Sequence, residues 1–170
     1  YLIVTTTVIA QDGVFYIDRA RMFAEDHHSI FKGNFGYPVM IFAAHKAVSA
    51  FVDNDSPQLW ALSAQATTLA CRLLAVIALF LIGKRTVGAA LSFWALMILA
   101  VLPYPAHLAS DALRDWPYVL FYTSAFALLL LGGDGRRWWA FGLSGLTAGL
   151  GLMIRFECAQ IVIYLSLIHI

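Results

Sequence analysis

Charged side chains make up only 12% of these 170 residues, about half the share usual in soluble proteins. So little charge cannot clothe a water-soluble surface, and a soluble globular domain is excluded. Eleven basic residues against ten acidic ones leave a net charge of +1, so the chain has no cationic excess for nucleic acid, and none is expected as a partner. Only two cysteines occur, Cys71 and Cys158, both in apolar context, where a free thiol behaves as a small hydrophobe. They supply neither a disulfide framework nor a metal motif. No cleavable signal peptide is visible in residues 1–10, which lack a basic leader and are followed by Gln-Asp rather than a small-residue cleavage site.

What is present is apolar sequence in long runs, with 61% of residues hydrophobic and a strongly positive mean hydropathy. Runs at 59–83, 86–103, 116–133 and 138–154 each approach the roughly 17–25 residues that cross a bilayer. Residues 1–10 read as the end of an earlier span and 156–170 as the start of a later one. Both ends therefore look cut from a longer protein, and Ser166 to Ile170, which resembles a translated sequencing adaptor, is given no functional weight. The expected fold is all-α, a polytopic transmembrane helix bundle in a single membrane domain.

Orientation follows from the short loops. Lys84 and Arg85, and again Arg136 and Arg137, sit between consecutive spans, and the cytoplasmic bias of Lys and Arg places both loops inside. Residues 11–58, the stretch 103–116 and the turn at Arg155 and Glu157 then fall on the non-cytoplasmic side. All acidic residues except Asp134 share that side, which makes it the chemically rich face, although simple solvation of loops would also put charge there.

The polar island at 11–21 follows an apolar run directly. Tyr16 to Asp26 has the spacing of a short amphipathic helix with Phe15, Met22 and Phe23 on one side and Asp18, Arg19, Arg21 and Glu25 on the other, a pattern of helices lying in the interface. Lys32-Gly-Asn-Phe-Gly-Tyr-Pro38 forbids a continuous helix, and helical spacing resumes over 39–51. The first outer loop is thus expected to hold two interfacial helices. His107, Asp111 and Asp115 recur at spacing four and share a face if helical, but two carboxylates and one His make a poor metal set. His27 and His28 are adjacent and point apart on any helix, so they read as a wet loop. Gly145, Gly149 and Gly151 form a small-residue stripe that suits close helix packing. Trp138 and Trp139 beside Arg136 and Arg137 are an interfacial aromatic belt.

Five of these signals occur in an order that resembles a known family: Asp12-Gly-Val-Phe-Tyr16 after the first span, Tyr37-Pro38 in the outer loop, Cys71-Arg-Leu-Leu74 with Lys84-Arg85 in and after the next span, Ser110-Asp-Ala-Leu113, and Gly145 to Arg155. The chain is similar to the N-terminal half of polytopic glycosyltransferases of the GT-C superfamily that use lipid-phosphate sugars, among them the protein O-mannosyltransferases and the bacterial aminoarabinose transferases. The resemblance implies transfer of a sugar from a polyprenyl-phosphate donor to a hydroxyl of a lipid, glycan or protein on the non-cytoplasmic face, with inversion at the anomeric carbon. It makes Asp12 the catalytic base, the group that takes the acceptor proton during attack. Capping of the interfacial helix is the other use of an Asp at that place. Gly13 stands where an acidic residue often follows in the family, which removes a second base.

Departure of the lipid phosphate leaves negative charge that fixed guanidinium groups stabilise. The resemblance points to Arg155, and after it Arg72, as donor-phosphate contacts, with snorkelling to the headgroups as the alternative for both. It places Asp111, Arg114, Asp115, Tyr16 and Tyr37 along the substrate cavity, while Arg114 could instead pair with Asp111 or Asp115. No cofactor or metal is implied; the lipid-linked sugar is substrate. The expected setting is a bacterial inner membrane with the site facing the periplasm. A transporter or flippase of lipid-linked substrate, or a non-catalytic membrane subunit, are the readings from other classes, and the absence of matching Gly- or Pro-broken spans speaks against the transporter.

Overall fold

Backbone that lies in hydrocarbon must satisfy its own N–H and C=O groups, and a helix does so within one segment. The computed structural model describes residues 11–26, 35–51, 56–102, 112–135 and 137–168, and these form helices joined by short turns, with no strand among them. The fold is an all-α membrane bundle. Its elements are α1 (Gln11–Glu25), α2 (Gly36–Ser49), α3 (Pro57–Thr86), α4 (Ala89–Val101), α5 (Asp115–Gly135), α6 (Trp138–Leu152), a single 3-10 turn at Phe156–Cys158, and α7 (Ala159–Ile168).

Among the described residues two helices are long and apolar enough to cross a bilayer, Pro57–Thr86 and the Asp115–Gly133 part of α5. Only 28% and 33% of their most apolar windows is buried within the chain, so most of that apolar surface faces outward, as lipid-exposed helices do. Ser56 starts α3 by accepting a hydrogen bond from the Leu59 N–H at 3.3 Å, with Pro57 preorganised behind it. Lys84 and Arg85 close its last turn, where cations suit the helix dipole. Thirty residues rise about 45 Å, more than the roughly 30 Å of hydrocarbon. At the far end the chain reverses through Val87 and Gly88; Gly88 has φ of +92°, a conformation that L side chains resist. The returning α4 has 13 residues, a rise of about 20 Å.

Helices α3 and α5 run the same way, and α4 and α6 return. Ser92 of α4 lies against Gly83, and Ser144 of α6 donates to the Ala125 carbonyl of α5 at 2.7 Å. The small-residue face of α6 that makes close contact is Ser144, Ala148 and Gly151: a methyl on Gly151 would meet Cys158 Sγ at 2.5 Å, whereas Gly145 and Gly149 have open space beside them. The stripe expected at 145, 149 and 151 is therefore corrected by one helical face, because the sequence holds small residues on both sides and only neighbours choose between them. Both cysteines are buried free thiols.

The main core lies at the end of the bundle that carries Ser56, Asp115 and Arg155. Tyr16, Ala20, Tyr37, Ile41, Trp60, Ala64, Ala112 and Ile154 meet there, drawn from α1, α2, the start of α3 and two turns. Helix α1 packs through Gly13, Tyr16 and Ala20, while Phe15 and Met22 face outward at 52% and 51% exposure. The apolar side read at Phe15, Met22 and Phe23 is thus largely not the side that packs on the bundle. Small residues allow α1 to approach closely, and Phe15 and Met22 are left on the face away from the bundle; only Phe23 touches it, edge-on to Phe42 at 4.9 Å.

Candidate active site

Arg155 is held in extended conformation between α6 and the 3-10 turn, with φ −149° and ψ 139°. Its N–H donates to the Gly151 carbonyl at 2.9 Å, and the preceding turn accepts from α2, where the Gly36 N–H donates to the Met153 carbonyl at 2.9 Å. Two turns far apart in sequence are thereby joined. The guanidinium reaches the first residue of α5: Arg155 Nη1 lies 2.7 Å from Asp115 Oδ1. Its Nε lies 3.3 Å from Glu157 Oε1, within ion-pair range but without hydrogen-bond alignment. Tyr118, one turn into α5, places its ring 5.3 Å beneath the guanidinium carbon.

Tyr16 sits beside this pair. It is 7% exposed, meets Tyr37 edge-on at 5.3 Å, and carries the Arg114 guanidinium 5.9 Å from its ring centre. Its phenol titrates above the usual value of 10.0, chiefly because burial disfavours phenolate. Arg114 opposes that shift, Asp12 and Asp115 add to it, and Arg155 opposes it weakly. Four charges from α1, the α5 entry and the α6 exit thus act on one hydroxyl. Asp12 itself is exposed in the first turn of α1, one turn before Tyr16, where a carboxylate suits the positive end of the helix.

Tyr37 is 1% exposed, and its hydroxyl lies 2.8 Å from Thr68 Oγ1 and 3.4 Å from the Ala64 carbonyl. Thr68 in turn reaches the Ala64 carbonyl at 3.1 Å and the Leu113 carbonyl at 3.4 Å. Burial raises the Tyr37 pKa far above that of a free phenol. This tyrosine therefore locks α2 and the α5 entry onto α3. Arg72 is half-buried, donates from Nη2 to the Ala100 carbonyl at 3.1 Å, and lies 5.4 Å from the Trp116 ring. That bond satisfies one of the last carbonyls of α4, which the helix itself leaves without a partner.

Tyr16, Arg114, Asp115 and Arg155 are thus brought together, with Tyr37 supporting them from below and Asp12 exposed one helical turn before Tyr16. Asp111 and His107 lie outside the described residues, as do His27 and His28. Among the described residues no three His, Cys, Asp or Glu side chains are grouped to hold a metal ion. Sequence reasoning missed Tyr118, Gly36 and Thr68. Tyr118 had a signal, since it lies three residues after Asp115 and shares its face; Gly36 and Thr68 had none, because their partners are distant in sequence. Two apolar hollows lie away from the charges, one of about 150 Å³ beside Gly36 and Ile154 and one of about 620 Å³ between α3 and α5 near Arg85.

A family model described as dolichyl-phosphate-mannose-protein mannosyltransferase matches residues 38–169, most of the chain. The match starts after Asp12 and Tyr16 and includes Arg72, Arg114, Asp115 and Arg155. No curated protein and no solved structure matches the chain.

Proposed function

The chain belongs to the dolichyl-phosphate-mannose-protein mannosyltransferase family, and from that membership we propose that its charged cluster is the transfer site of an enzyme using a polyprenyl-phosphate sugar. At the coarser level it is a membrane glycosyltransferase of the mannosyltransferase type, taking sugar from a lipid-linked donor to an acceptor in a membrane. The finer reading assigns a hydroxyl acceptor on a lipid, glycan or protein, and a site on the non-cytoplasmic face, in a bacterial inner membrane the periplasmic one. That sidedness rests on the cytoplasmic bias of Lys84, Arg85, Arg136 and Arg137.

In the reaction the acceptor oxygen attacks the anomeric carbon as its proton passes to the Asp12 carboxylate. The bond from the anomeric carbon to the phosphate oxygen breaks on the opposite side, and its electron pair leaves with the polyprenyl phosphate. Direct displacement inverts the anomeric centre. The growing charge on the phosphate is met by a guanidinium of the cluster that the fold already holds in place. Asp115, and Asp111 with it, orient the sugar.

The observation that supports this reading is the placement of Arg114, Asp115 and Arg155 beside Tyr16, with Asp12 one helical turn before that tyrosine on α1. A base and cations lie at one end of an apolar bundle, where a lipid-borne phosphate would present its sugar. Asp12→Asn in the full-length protein keeps size and hydrogen-bonding reach but removes proton affinity. Transfer turnover is expected to fall by about 100- to 10,000-fold with donor binding retained. Retention of more than about a tenth of wild-type turnover, well outside that range, would remove Asp12 as base.

A further inference from the structure

We infer that Arg114, rather than Arg155, makes the direct contact with the donor phosphate, while Arg155 is a positioning residue that ties the α6 exit to α5. The inference rests on the functional reading above and divides its cationic role between two side chains. Arg155 is already engaged: one guanidinium faces two carboxylates, Asp115 at 2.7 Å and Glu157 at 3.3 Å. An approaching phosphate would meet a locally negative group and would have to displace a carboxylate before bonding.

Arg114 differs in one respect: it makes no ion pair with a described residue. Like Arg155 it is half-buried and lies over a tyrosine ring, that of Tyr16 at 5.9 Å. The Tyr16 ring attracts the guanidinium from one side, and no described carboxylate takes its N–H edge, which can bond an anion in two-pronged fashion. Asp12 lies on α1 one helical turn before Tyr16. The cation that pairs with no described residue and the candidate base thus belong to neighbours of the same tyrosine. In-line displacement needs that proximity, because the carbon that accepts the nucleophile is the one that releases the phosphate.

The test uses the full-length protein in lipid nanodiscs, titrated with a polyprenyl monophosphate and with the uncharged polyprenol of the same length. Wild type is expected to prefer the phosphate. Arg114→Ala is expected to weaken phosphate binding about ten- to hundredfold, as loss of a charge-assisted contact does, with polyprenol binding unchanged. Arg114→Lys should restore part of the loss, since charge returns without the fork. Arg155→Ala should lower the melting temperature yet leave phosphate binding within about threefold of wild type.

An Arg114→Ala protein that binds the phosphate as wild type does overturns the assignment. So do equal losses in both variants at unchanged melting temperature, which would make the arginines a joint clamp. A wild type that does not distinguish the phosphate from the polyprenol sinks the lipid-phosphate reading itself, and the Arg114 assignment falls with it.

Discussion

Gly36→Ala adds one methyl at the junction that holds the Arg155 turn, and the structure sets both sign and size of the outcome. The new Cβ would stand 2.8 Å from Ile154 Cγ1 and 2.9 Å from the Met153 carbonyl carbon and oxygen. Ile154 can rotate, but the Met153 contacts are backbone and move only with the turn. Overpacking of this kind costs about 1–3 kcal/mol. Separation would also stretch the 2.9 Å bond from the Gly36 N–H to the Met153 carbonyl, worth about 1 kcal/mol. Against this stands the helix preference of Ala over Gly, at most about 1 kcal/mol and less in the first turn, where Gly36 lies. The balance is a destabilisation of about 1–3 kcal/mol. Thermal unfolding in detergent should show a melting temperature several degrees lower. The control is Gly145→Ala, where the added methyl meets nothing within 4 Å and the helix preference acts alone, so no loss is expected. A Gly36→Ala protein that melts at or above wild type would refute the claim that α2 and the Arg155 turn are clamped.

Two further outcomes follow from the same cluster. Tyr16 and Tyr37 both titrate above the free phenol in the folded chain, so folding favours the protonated form. Their contribution is complete below about pH 10 and is lost as pH rises through the folded values. The melting temperature should therefore fall on the alkaline side, and Tyr37→Phe should flatten that fall while costing about 1 kcal/mol at neutral pH for the lost bond to Thr68; an unchanged alkaline profile would contradict it. Asp115→Asn removes one carboxylate from Arg155 at a pair whose side chains are 29% and 46% exposed. Solvent screening limits the loss to about 0.5–1 kcal/mol, measured by a double-substitution cycle with Arg155→Ala, and a coupling above about 3 kcal/mol would show the pair to be buried in effect.

The class of fold was legible because it depends on composition. Apolar runs of membrane length admit only helices, and α3 and α5 each span one such run from end to end. Which face of a helix packs was not legible. On α1 both sides carry apolar residues, and the pattern of Phe15 and Met22 marks an apolar side without saying which side meets protein. The packed face is the one whose small residues, Gly13 and Ala20, let the helix come close, with Tyr16 filling the space between. On α6 small residues again decide it, since Ser144, Ala148 and Gly151 lie against neighbours and Gly145 and Gly149 do not. Hydrophobicity marks what must leave water; in a membrane chain most of that surface meets lipid, so it no longer marks what touches protein.

The site divides along a similar line. Charges at the ends of apolar runs stand out in sequence because each is costly near hydrocarbon, and Asp12, Arg114, Asp115 and Arg155 were visible for that reason. Their partners were not. Whether an arginine binds a ligand or a neighbour depends on which carboxylate the fold brings within bonding range, and sequence separation hides this: Asp115 lies 40 residues from Arg155 and bonds it at 2.7 Å, whereas Arg114, next to Asp115 in the chain, turns instead to Tyr16. A single backbone step at the entry to α5 sends one charge toward the Arg155 turn and leaves the other on an aromatic face. The arginine most conspicuous in the sequence is therefore the one that two carboxylates already hold, and the one that read most simply as half of a local ion pair makes no ion pair with a described residue.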